Sequence, residues 1–121
     1  MYRVNNNDFK ILSKYKSFLE ELDDALENVP RKDMYFKDKI RDVSYDLLYL
    51  IIRCSYESNS EELIKMESDI KTHISLLDFF IERLFTKKYL SEKKAYKIGG
   101  FLVEINKMVN GFINNKVKDV S

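Results

Sequence analysis

The sequence predicts an all-α protein, an up-down-up-down four-helix bundle. Apolar residues recur at alternating spacings of three and four in four long segments, which is the periodicity of helices that pack together in a bundle. Three glycines and one proline in 121 residues leave these segments almost uninterrupted. The stretches between them are short and polar, and short connections force successive helices to run antiparallel.

The first helix is expected over residues 8–28, after a flexible segment at residues 1–7. It should end before Pro30, because the residue that precedes a proline is disfavoured in helical geometry. Its predicted core stripe consists of Leu12, Tyr15, Leu19, Leu22, Leu26 and Val29, widened by Phe18 and Ala25.

The second helix should begin between Pro30 and Asp33 and end near Tyr56, and it carries two apolar stripes instead of one. Since a single bundle has a single interior, only one stripe can face the core. The other stripe should be buried against another subunit. The residues assigned to this oligomer interface are Leu48, Tyr49, Ile51 and Ile52.

A polar turn should separate the second helix from a third helix at residues 60–87. In this turn Asn59 and Glu62 resemble a capping box. The fourth helix should begin after Ser91, a residue type that is favoured as an N-cap, and it should fray at residues 114–116.

The composition is that of one helical domain, expected at residues 8–117 and followed by a C-terminal tail at residues 118–121. The net charge of +1 gives no global preference for nucleic acid. A single cysteine, Cys54, excludes an internal disulfide and favours a reducing compartment. The polar first residues lack the apolar segment of a signal peptide, and the apolar run at residues 47–52 is far shorter than the roughly twenty residues of a membrane span. We therefore expect a soluble, cytoplasmic protein that does not enter a membrane.

No arrangement of residues in the sequence fits a known catalytic chemistry. The only histidine, His73, lacks the glutamate three positions earlier that a carboxylate-bridged metal site requires, since that residue is Ile70. Bundle ribonucleases of the HEPN class have an arginine a few residues before the histidine, and residues 69–72 contain none. We expect His73 to be a packed, hydrogen-bonded residue on the inward side of the third helix. The protein should be non-catalytic, with no cofactor and no metal.

Two other patterns have structural interpretations. The acidic run at residues 20–24 should be a solvated face, because adjacent carboxylates on a helix point in different directions. Gly99 and Gly100 lie inside the fourth helix and do not follow a strand, so they are not a phosphate-binding loop. We expect them to permit a close approach of two helices.

The predicted topology gathers basic residues that are distant in sequence. In an up-down bundle the start of the second helix, the end of the third and the start of the fourth meet at one end, beside the acidic end of the first. Such a cluster can neutralise the phosphates of RNA or DNA, and the alternative is that its members pair with Glu and Asp. The residues assigned to nucleic-acid or partner binding are Arg31, Lys32, Lys37, Arg41, Arg83, Lys87, Lys88, Lys93, Lys94 and Lys97.

Four segments occur in an order and spacing that are similar to those of a known family. They are Val-Pro-Arg-Lys at 29–32, Asp-Leu-Leu-Tyr-Leu-Ile-Ile at 46–52, Lys-Tyr-Leu-Ser at 88–91 and Ile-Asn-Lys-Met-Val-Asn-Gly-Phe-Ile at 105–113. The last segment is similar to the pattern I-G-R-x-L-G-G-W-I. On these segments the chain resembles, from residue 9 to residue 117, the Avd family of accessory variability determinant proteins of diversity-generating retroelements. That family shares a four-helix superfamily with the proteins encoded in 23S rRNA intervening sequences.

The resemblance implies a homopentameric barrel of four-helix protomers. It also implies a non-catalytic partner of the retroelement's reverse transcriptase, one that engages template RNA and supports mutagenic cDNA synthesis. The second apolar stripe of the second helix fits such an assembly. The alternative within the superfamily is a stand-alone bundle of the intervening-sequence type, which would bind structured RNA or protein without a retroelement.

The chain departs from the family pattern at positions that bear on the nucleic-acid surface. Where relatives often read L-R-F-x-L-R in the third helix, Asp78 and Glu82 occupy two positions that are usually basic. Relatives are often strongly basic, whereas the net charge here is +1. In the last segment, asparagines replace the glycines, a lysine replaces the arginine and a phenylalanine replaces the tryptophan, at Asn106, Asn110, Lys107 and Phe112.

Overall fold

The computed structural model describes residues 10–120, which contain four α-helices, one 3-10 turn and no β-strand. The all-α prediction is therefore confirmed for this part of the chain. The predicted flexible segment at residues 1–7, the predicted helix start at residues 8 and 9, and Ser121 lie outside the described residues. The helices are α1 (Lys10–Leu26), α2 (Met34–Tyr56), α3 (Ser60–Thr86) and α4 (Glu92–Val120), with the 3-10 turn Arg31–Asp33 directly before α2.

The four helices surround one hydrophobic core. α1 and α3 each pack against both α2 and α4, so the first and last helices close the ring. α1 and α4 are antiparallel, because Glu21 near the end of α1 pairs with Lys94 near the start of α4. The predicted four-helix arrangement is thus observed. Within residues 10–120, no helix combines the length and the apolar character that crossing a bilayer requires.

The core face of α1 is rotated relative to the predicted stripe. Phe18 and Ala25 lie fully in the core, whereas Leu12 and Leu19 are only half buried at its edge. Both sets recur at spacings of three and four, so periodicity alone does not distinguish these neighbouring registers. Packing against α2 and α4 selects the face. The buried residues of α1 and the turn after it are Ile11, Tyr15, Phe18, Leu22, Ala25, Leu26 and Val29.

A buried hydrogen bond joins α1 to α2. The side chain of Tyr15 is fully buried, and its hydroxyl donates to the backbone carbonyl of Ser44. The hydroxyl of Ser44 donates to the carbonyl of Arg41 at 2.8 Å, so neither buried hydroxyl lacks a partner. Burial raises the pKa of Tyr15 far above its ordinary value, because the phenolate would be desolvated. Tyr15 therefore remains a neutral donor that joins α1 to the middle of α2.

Side chains satisfy the backbone on both sides of the turn between α2 and α3. The side-chain oxygen of Asn59 accepts the backbone N–H of Glu62 at 3.0 Å, which confirms Asn59 as the N-cap of α3. The Glu62 carboxylate lies 3.5 Å from Lys65 instead, so only half of the predicted capping box forms. Glu57 is held by Arg53 at 2.9 Å and accepts the backbone N–H groups of the two residues that follow it.

α4 continues past its predicted fraying point. The prediction that the helix frays at residues 114–116 is wrong, because its last turns pack against the end of α2. The backbone carbonyls of the last turn of α2 have no partner within that helix, and a lysine of α4 provides donors for them. Lys116 Nζ donates to the carbonyls of Cys54 (3.1 Å), Ser55 (2.7 Å) and Glu57 (2.9 Å).

α3 ends in a Schellman motif that contains a lysine in place of the usual glycine. The N–H of Tyr89 donates to the carbonyl of Leu84 at 3.0 Å, and the N–H of Lys88 donates to that of Phe85 at 2.9 Å. Lys88 has a φ of 68°, in the left-handed region where a Cβ is disfavoured. Ser91 then caps α4 as predicted, since its hydroxyl accepts a backbone N–H of the first turn at 3.1 Å.

Asp33 links the turn before α2 to the turn between α3 and α4. Its carboxylate accepts hydrogen bonds from the Tyr89 hydroxyl and from Lys87 Nζ, the latter at 3.3 Å. The hydrogen bond from Tyr89, followed by that from Lys87, holds the pKa of Asp33 below its usual value. Lys87 Nζ also lies 5.3 Å from the ring centroid of Phe36, within the range of a cation–π contact.

Relief of the backbone strain at Lys88 should stabilise the protein. We expect Lys88→Gly to be more stable than Lys88→Ala by about 1 kcal/mol, because both variants lose the side chain but only glycine tolerates a positive φ. Urea unfolding followed by circular dichroism measures this difference. Equal stability of the two variants would show that the left-handed conformation is not maintained in solution.

Loss of the Tyr89 hydroxyl should raise the pKa of Asp33 towards its ordinary value. The folded pKa of Asp33 is depressed, so its contribution to stability is present above the unfolded pKa and disappears as the pH falls through the folded pKa. The acid-induced decrease in stability should therefore be smaller in Tyr89→Phe than in the wild type. NMR titration of Asp33 tests the shift, with Tyr35→Phe as an exposed control. An unchanged Asp33 pKa in Tyr89→Phe would contradict the assigned cause.

Candidate functional site

His73 and Cys54, the side chains whose chemistry could serve catalysis, each contact a backbone carbonyl of their own helix. His73 is half buried at the edge of α3 instead of facing inward as predicted, and its Nδ1 donates to the carbonyl of Asp69 at 2.7 Å. Cys54 is fully buried, and its thiol lies 3.0 Å from the carbonyl of Ile51. Burial raises the pKa of Cys54 to about 11, which opposes formation of a thiolate. Within residues 10–120, His, Cys, Asp and Glu form no group of three that could hold a metal ion.

The structure confirms that the predicted basic elements meet at one end of the bundle. The hydrogen bonds of Asp33 place the 3-10 turn against the turn that follows α3. The ion pair between Lys94 and Glu21 places the start of α4 against the end of α1. The end is therefore divided into a cationic part and a part where α1 supplies carboxylates, as the topology predicted.

Three of the cations assigned to binding are engaged by carboxylates of the same chain. Lys94 pairs with Glu21 and, at 3.2 Å, with Asp24, while Lys97 lies 2.9 Å from Glu21. Hydrogen bonds from both lysines hold the pKa of Glu21 below its usual value, and the one to Glu21 raises the pKa of Lys94. Lys87 is engaged by Asp33. For these lysines the alternative interpretation, pairing with acids, describes the structure, and the acidic run of α1 is not simply a solvated face.

Two further cations, Lys37 and Arg41, lie apart from the rest. Their spacing with Ser44 places all three on one side of α2, and Ser44 is the residue that contacts Tyr15 of α1. Phe36 lies on the side of α2 that contacts α3, since its ring and that of Phe80 are 5.9 Å apart. Lys37 and Arg41 are therefore directed towards α1, away from the basic residues of α3 and α4.

The remaining predicted cations form a smaller surface, which we call the cationic end. None of its members makes an ion pair within the described part of the chain, and all of them are exposed. Two lie in the 3-10 turn, one in the last turn of α3, one in the following turn and one in the first turn of α4. The cationic end consists of Arg31, Lys32, Arg83, Lys88 and Lys93.

The outer side of α2 is more aromatic than predicted. Tyr49 is 62% exposed, but Ile51 is 0% exposed and lies in the core, so its assignment to an oligomer interface is corrected. The reason is its helical position, because Ile51 shares the inner face with Leu47 and Cys54. Leu48 and Ile52 are half buried and lie four residues apart, together on one edge of the outer side.

Two exposed tyrosines complete this outer side and were not predicted. Tyr45 and Tyr56 are 53% and 63% exposed and lie four residues before and seven after Tyr49, so all three share one side of the helix. That spacing is the signal in the sequence that could have identified them. We call Tyr45, Leu48, Tyr49, Ile52 and Tyr56 the tyrosine face.

A groove between α3 and α4 was also not predicted. Its volume is about 520 Å³, and both polar and apolar side chains line it. Gly99 and Gly100 lie on its α4 side, but they do not bring the helices together as expected. A Cβ at Gly99 would meet only Asp78 at 3.9 Å, and one at Gly100 would meet nothing within 4 Å. The groove is lined by Asp78, Ile81, Glu82, Phe85, Glu92, Ala95, Tyr96, Gly99, Gly100 and Val103.

Comparison of the chain with protein-family models, with curated proteins and with solved structures gives no match. The resemblance to the Avd family therefore rests on the four sequence segments.

Proposed function

We infer that this chain is a non-catalytic accessory protein of a diversity-generating retroelement. In this proposal it acts in the cytoplasm without a cofactor. It binds the retroelement's reverse transcriptase and template RNA and supports mutagenic cDNA synthesis. The observation that carries the proposal is the cationic end, where two chain turns, the end of α3 and the start of α4 present basic side chains that make no ion pair with the carboxylates of the described residues.

The chemistry of the cationic end suits the backbone of a nucleic acid. Arginine and lysine neutralise phosphates and release condensed counterions, so binding depends steeply on salt. Three of the five cations, Arg31, Lys32 and Lys88, lie in turns instead of along one face of a helix that could enter a groove. The protein would therefore recognise the phosphates and the shape of the RNA instead of its base sequence.

The tyrosine face supports the proposed homo-oligomer. Tyrosine is enriched at protein interfaces because it combines a large apolar ring with a polar hydroxyl. Exposed tyrosines in a row on one helix therefore favour a subunit contact. A closed ring, the homopentamer that the family resemblance implies, would repeat the cationic end around its circumference and raise avidity for one RNA molecule.

The alternative is a stand-alone bundle of the intervening-sequence type, which would bind RNA or protein without a reverse transcriptase. The acidic residues Asp78 and Glu82, at positions that are usually basic in the Avd family, favour this alternative. A reverse-transcriptase reading frame beside the gene distinguishes the two. If one is present, co-purification of that enzyme with a tagged form of this protein is expected. Its failure to co-purify, with RNA binding retained, would favour the stand-alone bundle.

Charge reversal at the cationic end should weaken RNA binding. We expect Lys88→Glu/Lys93→Glu to bind a fluorescein-labelled RNA hairpin about tenfold more weakly at low salt, and to lower the salt slope by about 2. Fluorescence anisotropy across a salt series measures both quantities. The matched control is Lys16→Glu/Lys107→Glu, which has the same net charge but alters exposed lysines outside the cationic end. Equal loss in both variants would show that only net charge matters.

Disruption of the tyrosine face should dissociate the oligomer. Size-exclusion chromatography with light scattering should give the mass of a pentamer for the wild type. The variant Tyr45→Asp/Tyr49→Asp should elute as a folded monomer, because burying two carboxylates at a subunit contact is unfavourable. Ile64→Asp/Phe79→Asp, which introduces the same two negative charges at exposed apolar residues of α3, serves as the control. A monomeric wild type would refute the barrel.

A further inference from the structure

The α3–α4 groove is an apolar depression on the outside of the bundle. Ile81 and Ala95 form its floor next to the core, and Phe85 and Tyr96 form its walls at 39% and 75% exposure. Val103 extends the apolar surface along α4 and is 56% exposed. Apolar side chains at this exposure are individually ordinary, but a contiguous set around a depression marks an interaction site.

The two glycines keep this groove open. A glycine inside a helix costs about 1 kcal/mol relative to alanine. Neither Gly99 nor Gly100 is required by packing, because a Cβ at either position would find room. Their effect is to remove side chains from the α4 wall at the place where Asp78 and Glu82 face it across the groove.

The charge of the groove is uniformly negative. Asp78, Glu82 and Glu92 line it, and within the described residues none of them forms an ion pair or a side-chain hydrogen bond. The other side chains that line it are uncharged. The side of α4 that faces α1 is different, because Lys94 and Lys97 neutralise Glu21 there. A groove whose charged groups are all carboxylates and whose other side chains are mostly apolar is complementary to a ligand that is both cationic and apolar.

The dimensions indicate a helical ligand. Along α3 the lining residues run from Asp78 to Phe85, about 10 Å at 1.5 Å per residue, and along α4 they run from Glu92 to Val103, about 16 Å. Two to three turns of an amphipathic helix have this length. Its apolar residues at i, i+3 or i+4, and i+7 would enter the groove. Lysines and arginines beside them would meet the carboxylates and the face of Tyr96.

We propose that the α3–α4 groove binds a cationic amphipathic helix of another protein. The carboxylates repel the phosphates of a nucleic acid, so this surface differs in chemistry from the cationic end, which it adjoins where Glu92 precedes Lys93. A second copy of this chain fits less well, because the outer side of its α2 carries Asp38, Asp42 and Asp46. The inference does not depend on a retroelement or on RNA binding.

A synthetic helix tests the proposal directly. The probe is a fluorescein-labelled peptide of leucine and lysine, with leucines at helical spacing on one side, and its counterpart has glutamate in place of every lysine. We expect saturable binding of the lysine peptide by fluorescence anisotropy, weakened by salt, and no binding of the glutamate peptide. Absence of saturable binding of the lysine peptide to the wild type would overturn the proposal.

A charge reversal and a steric block locate the binding site independently. Asp78→Lys/Glu82→Lys should weaken peptide binding by about tenfold or more, because two attractions become repulsions. Asp69→Lys/Glu20→Lys makes the same charge change at exposed carboxylates outside the groove and should bind nearly as the wild type does. Gly100→Leu should fill the groove and abolish binding, whereas Gly111→Leu, at an open position of the same helix, should not.

The glycine variants also separate loss of binding from loss of folding. Leucine is a better helix former than glycine, so Gly100→Leu should unfold at a temperature no lower than that of the wild type. Loss of peptide binding in a folded Gly100→Leu variant therefore supports a site in the groove. Equal affinity of the groove variants and their controls would overturn it. The wild type could also fail to bind the peptide while Asp78→Lys/Glu82→Lys changes the mass of the oligomer. That result would assign the groove to a second copy of the chain and would also overturn the proposal.

Discussion

The burial of one apolar face from each of four helices into a single interior is the constraint on which the rest of the structure depends. A chain of this length has room for one core, so each helix can bury one face and must expose the other. α1 fills the core with Tyr15 and Phe18, whose rings are 5.2 Å apart, and Tyr15 also satisfies a carbonyl of α2. Once the inner face of each helix is buried in the core, the positions of the polar and aromatic residues on the outside follow from helical geometry.

Polar contacts between the ends of the helices then determine which charges remain available. Asp33 engages Lys87 and Tyr89, and Glu21 engages the lysines at the start of α4, so these groups join segments of the chain to one another. Surface ion pairs contribute little stability individually. Their larger consequence here is electrostatic, because they neutralise the lysines beside α1 and Asp33 and leave the small cationic end positively charged. A net charge of +1 conceals this division.

Three outer surfaces with different chemistry result from this arrangement. The cationic end suits phosphate, the tyrosine face suits a subunit contact, and the α3–α4 groove suits a cationic helix. The groove adjoins the cationic end where Glu92 precedes Lys93, but the two surfaces carry opposite charge and therefore suit different ligands. Asp78 and Glu82 line the groove and contribute to its negative charge.

The sequence by itself determined the helices, their order and most of the core, because the spacing of apolar residues follows directly from 3.6 residues per turn. It also identified the caps Asn59 and Ser91, which act through contacts within a few residues. Only the tertiary structure decided whether Ile51 faces the core or a partner, which lysines find carboxylates, and that Gly100 opens a groove instead of closing a contact. These outcomes depend on groups brought together from different helices, and neither periodicity nor net charge contains the rotation and offset of one helix against the next.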